Sequence, residues 1–190
     1  MDIRGAQREM RSVYIGGFAG HLVLSAIWLV SAALGTWVTP KASILAIVIG
    51  GFFSFPLTQM MLRLSGCRAA VGRGNPFHWL GMQVAFVLPL SMLLLVPVGL
   101  YRLNWFFPAL MVLVGAHYLP FATSYGMRMF LFLAGILVAA GVVIALYFSG
   151  MFSLGAWVTG LTLFVFAWIG RSIASNEART PVTTGAEGTI

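Results

Sequence analysis

Acidic residues are nearly missing from this chain of 190 residues, which has four of them against eleven basic ones. All four, Asp2, Glu9, Glu177 and Glu187, fall in the terminal segments. The long apolar middle therefore holds no carboxylate, which removes the Asp/Glu relays that many transporters use for protons and cations. Charge of either sign is scarce, at 8% of residues, where a soluble domain carries about 25%. Such a chain cannot cover a globular surface with polar groups, so its outer surface faces lipid. The single cysteine, Cys67, excludes an intramolecular disulfide. Also missing are an HExxH zinc motif, a GxSxG nucleophile elbow and any paired membrane carboxylates. "VGRGNP" holds a lone Gly-x-Gly without the lysine or spacing of a phosphate loop, and reads as a flexible loop.

What the chain does have is length without charge. Six apolar runs, about 13–37, 42–63, 79–100, 104–125, 128–149 and 151–170, each reach the roughly 20 residues that a bilayer crossing needs. Helix is the economical form, because every backbone amide in lipid must be satisfied within its own segment. The first run exceeds the apolar core of a signal peptide and is read as an uncleaved first span. The expected fold is an all-α polytopic bundle, one domain over 1–170, with 171–190 as a disordered cytoplasmic tail.

Basic residues orient the bundle. Nine arginines (4, 8, 11, 63, 68, 73, 128, 171 and 179) fall on one side of the spans, and only Lys41 and Arg102 on the other. The side with the excess is cytoplasmic, which puts both termini inside. The net charge of +7 thus reports threading. It forms no basic face interleaved with aromatics that could track nucleic acid. Asn104 is placed to cap the start of the fourth span, and Arg102 to reach lipid headgroups.

The remaining chemistry lies in the half of the bundle toward the termini. His21 and His117 share a depth of roughly 12 Å from that boundary, at about 1.5 Å per helical residue. Ser54, Thr58, Gln59, Gln83 and Tyr118 fall in the same half. So do Pro56 and Pro120, each expected to kink its helix and free a carbonyl. Three readings stand. The polar groups are interhelical hydrogen-bond glue, or they line a cavity for a polar substrate or a proton, or the two histidines ligate haem or a metal. No cofactor or metal set is otherwise indicated. Small residues four apart, Gly16 with Gly20, Gly135 with Ala139 and Gly141 with Ala145, allow close helix approach, within the chain or in a homodimer.

The block "YRLNWFFPALMVLVGAHYLPF", with "DIRGAQREMRSVYIGGF" and the "FPLTQ" of the second span, resembles a family of small uncharacterised bacterial integral membrane proteins. The likeness covers most of residues 1 to 165 and implies an inner-membrane location, with no activity or functional residue to carry over. The function expected is a small transporter-like or permease-like bundle with its site around His21, His117, Gln59 and Gln83. The alternative is a structural or accessory subunit without a site, and a membrane enzyme or haem carrier ranks third.

Overall fold

The computed structural model describes residues 2–67 and 70–179, and the described residues are helices joined by short loops. The elements are α1 (Ile3–Val13), α2 (Phe18–Trp37), α3 (Pro40–Leu64), α4 (Phe77–Met92), α5 (Leu95–Tyr101), α6 (Phe106–Tyr125), α7 (Met129–Tyr147) and α8 (Leu154–Arg179). Six helical segments are long and apolar enough to cross a membrane, and they coincide with the six expected runs to within a few residues at most ends. The exception is the last. The boundary expected at 170 does not hold, because α8 continues to Arg179. Residues 180–190 lie outside the described residues.

Local sequence explains most ends. The Thr39 side chain accepts from the Ala42 amide at 3.1 Å, with Pro40 at the first position of α3, where a missing N–H costs nothing. Gly126, at φ 63°, closes α6 in the left-handed form that glycine adopts freely. Asn104, by contrast, does not cap α6: it sits within a 3₁₀ turn, Leu103–Trp105, and α6 starts without a side-chain cap. Arg102 lies over the Trp105 ring at 5.2 Å. Pro56 and Pro120 both lie inside continuous helices, α3 and α6. Among the described residues, the third span is interrupted at Leu93 and Leu94, between α4 and α5. Pro97 explains it, because its ring and missing N–H disrupt the bond to the carbonyl four residues earlier, that of Leu93.

α6 packs along α7, and α2 packs along both α3 and α8. α7 and α6 also touch α8, which joins the two groups. α3 packs on α2 and α4 packs on α6, whereas among the described residues α3 and α4 have no extensive contact with each other. The core holds Trp28, Phe107, Met111, Phe130, Leu133 and Leu137, all nearly inaccessible.

Helix α1 is an element that a search for apolar runs passes over. Its Ala6, Met10 and Val13 are buried, at the three- and four-residue spacing of an amphipathic helix. Its polar face clasps three other parts of the chain. Gln7 Nε2 donates to the Thr123 carbonyl at 2.8 Å, and Arg11 donates to the Tyr125 carbonyl, both in the last turn of α6. Arg11 also makes a two-point pair with Glu177 of α8, at 2.6 and 2.7 Å. Glu9 accepts from the Gly72 amide and from Asn75 Nδ2, each at 2.8 Å, in the loop between α3 and α4. Those two bonds, the amide first, hold the Glu9 carboxyl below its ordinary pKa.

Candidate functional site

The site begins at the turn from α1 into α2. Ile15, Gly16 and Gly17 are all left-handed, at φ 50°, 62° and 86°. A β-branched residue such as Ile15 is strained there. Gly16 is required twice over, since a Cβ on it would lie 2.3 Å from the Gly170 carbonyl oxygen of α8. The turn leaves the Gly17 carbonyl facing one turn up α2, where His21 Nδ1 meets it at 2.8 Å. A carbonyl can only accept, so Nδ1 carries the proton. In the neutral ring, Nε2 is then a lone-pair acceptor. That Nε2 is buried and has no hydrogen-bond partner among the described residues.

Aromatic rings enclose it. The Tyr118 ring stacks on His21 at 5.2 Å and 10°, and Phe130 of α7 lies at 5.6 Å. Tyr118, Phe121 and Tyr125 follow the i, i+3, i+7 spacing of one helical face, and all three line the same space. His117, half-buried, meets Tyr118 and Phe121 edge-on at 6.0 and 5.3 Å. Together with Gly17 and Gly20 these side chains surround a chamber of about 120 Å³ between α2, α6 and α7.

Two more of the lining side chains carry a buried polar atom without a hydrogen-bond partner among the described residues, His117 Nδ1 and the Tyr118 hydroxyl. Leaving one such atom unsatisfied costs about 1–3 kcal/mol. The chamber has room and polar partners for waters or a small hydrogen-bonding solute.

The expected polar layer is thus divided rather than assembled. His21, His117 and Tyr118 share the chamber. Ser54 donates to the Gly51 carbonyl and Thr58 to the Ser54 carbonyl, each at 2.7 Å, so both are satisfied within α3. Gln59 lines a separate cavity with Arg63 and His78, and Gln83 is exposed on α4. The layer separates because α3 and α4 do not pack together. Sequence reasoning missed the walls, Phe121, Tyr125 and Phe130, although the aromatic spacing on α6 was there to be read. His21 and His117 face one small space, but no three His, Cys, Asp or Glu side chains cluster as a metal site among the described residues.

The model of a family of unknown function, DUF7010, matches residues 3–172, a range that takes in α1, the chamber and nearly all of the spans. Neither a curated protein nor a solved structure matches the chain. The protein belongs to the DUF7010 family of unknown function.

Proposed function

We propose that this is a small permease-like protein of a bacterial inner membrane, with both termini in the cytoplasm and the chamber as its solute site. The observation that carries the reading is that His21, His117 and Tyr118, each with a buried polar atom that has no hydrogen-bond partner among the described residues, line one space of about 120 Å³. Since His21 Nε2 can only accept while the ring is neutral, the solute must donate a hydrogen bond. The faces of Tyr118, Phe121, Tyr125 and Phe130 favour a cation among such solutes. The nine-to-two arginine and lysine asymmetry supports a chamber in the cytoplasmic half.

Proteoliposomes given radiolabelled guanidinium or tetramethylammonium test this. Both are cations, but only guanidinium donates hydrogen bonds. The expected result is guanidinium uptake that falls about tenfold in His21→Phe, which keeps a ring and deletes the acceptor, with little tetramethylammonium uptake in either protein. Equal guanidinium uptake in wild type and His21→Phe would sink the chamber as the route. A second reading, an accessory subunit without a site, draws on Ser54 and Thr58, whose hydroxyls are satisfied inside their own helix. Absence of uptake for both cations would favour it.

A further inference from the structure

The second cavity, of about 580 Å³, lies between the end of α3 and the start of α4. We infer that it binds a phosphate-bearing anion, with the phosphate at Arg63, Gln59, His78 and Tyr14. None of these four side chains has a hydrogen-bond or ion-pair partner among the described residues, yet all line one cavity. Their chemistry is dominated by donors: a guanidinium fork, an amide NH₂, a ring N–H and a phenol. A phosphate offers only acceptor oxygens, and the planar fork of arginine matches two of them.

Electrostatics point the same way. No carboxylate lines this cavity among the described residues. Asp2 caps α1 at the Gly5 amide, Glu9 is held by Gly72 and Asn75, and Glu177 pairs with Arg11. Arg63 therefore acts on the cavity uncompensated. The cavity is also too large for a phosphate alone, whereas a phosphate esterified to glycerol would fill more of it. α3 and α4 both line the cavity, through Gln59 and Arg63 on one and His78 on the other. The site belongs to the same face as α1 and most of the arginines, where anionic headgroups gather around basic residues.

This inference is independent of the chamber. Tyr14 and Tyr125, with rings 6.3 Å apart, stand one on each cavity, so the two sites are neighbours that can be broken separately. The test is native mass spectrometry of delipidated protein titrated with phosphatidylglycerol, phosphatidylcholine or inorganic phosphate. Thermal unfolding is followed in parallel. Retention of phosphatidylglycerol over phosphatidylcholine is expected, weakened about tenfold in Arg63→Gln by loss of the charged fork. Lys41→Gln, at the opposite end of the bundle, should bind as wild type does, and His21→Phe should as well. Stabilisation by millimolar phosphate equal to that by the lipid, and lost in Arg63→Gln, would keep the anion site and assign it to free phosphate. Equal weakening in Arg63→Gln and Lys41→Gln would show diffuse charge attraction and overturn the inference, as would unchanged binding in Arg63→Gln.

Discussion

The spans built on α2 and α3 have the same mean hydropathy, 1.8, yet 44% of the first is buried inside the protein and 6% of the second. α6 and α4 repeat the contrast, at 44% and 11%, although the α4 span is the more apolar of the two. Apolar content therefore makes a helix fit to cross a membrane and says nothing of which helix it meets. Lipid tails are as apolar as leucine, so helices associate where backbones can come close and polar groups can bond. In the buried group two glycines sit at such crossings. A Cβ at Gly141 of α7 would lie 2.8 Å from the Pro108 carbonyl oxygen of α6, and one at Gly115 of α6 would lie 3.0 Å from that of Ala134. In the peripheral pair, Gly51 of α3 and Gly81 of α4 have nothing within 4 Å. Gly50 of α3, against Ile27 of α2, marks the one line along which α3 is held.

The largest expected effect tests that contrast. Gly141→Leu forces a side chain against backbone at the α6–α7 crossing and should destabilise by about 3 kcal/mol or more. Gly51→Leu adds the same atoms on an open face and should change stability by less than about 0.5 kcal/mol. Thermal unfolding in one detergent reads both. Similar melting shifts for the two variants would mean that the α6–α7 crossing does not depend on close approach.

The same contrast explains how much could be read from the sequence. The six spans follow from run length and hydropathy alone, so their existence and order were legible. Pairing was not. Ser54, Gln59 and Gln83 fall in the same half of the bundle as the histidines, but depth is only a coordinate along the helices. Whether two residues meet depends on the rotation and partner of each helix. α3 faces α2 and leaves Gln59 on another cavity. α4 faces α6 and leaves Gln83 exposed. His21 and Tyr118 stack across the α2–α6 boundary, while the left-handed turn at 15–17 sets the start of α2 against α8, through Gly16 and Gly170. The charged end of α8 looks like part of a tail in the sequence because its residues are polar. It stays helical to Arg179, and Glu177 on it supplies the partner of Arg11.

That partnership is the next test, of intermediate size. Arg11 is the most enclosed link between α1 and the bundle, with its side chain 15% accessible and that of Glu177 31%. Arg11→Ala removes the two-point pair and leaves the Tyr125 carbonyl without its charged donor. A loss of about 1–3 kcal/mol is expected, concentrated at α1. Hydrogen exchange should speed up across 3–13 and much less in α7. Uniform loss of protection across all helices would instead make α1 an integral part of the core rather than a clasp on its end.

The smallest effect concerns the opposite link, Glu9. Glu9 is partly exposed, so solvent screens much of its contribution, and the consequence is a pH dependence rather than a large stability term. The carboxyl pKa is lowered in the folded protein, first by the Gly72 amide and then by Asn75. A group with a depressed folded pKa stabilises the state it belongs to above its unfolded pKa and ceases to do so as pH falls through the folded value. The hold of α1 on the α3–α4 loop should therefore be full at neutral pH and weaken only below the ordinary carboxyl range. The amide resonance of Gly72 in micelles gives the measurement. It should titrate with a midpoint below 4.5, the ordinary value for this carboxyl, and Glu9→Gln should abolish the titration. Arg11→Ala should leave that midpoint nearly unchanged, because Arg11 does not contribute to the shift at Glu9. A midpoint at or above 4.5 would mean that Glu9 is not held by the loop, leaving the contacts of α1 with α6 and α8 as its only charged clasp.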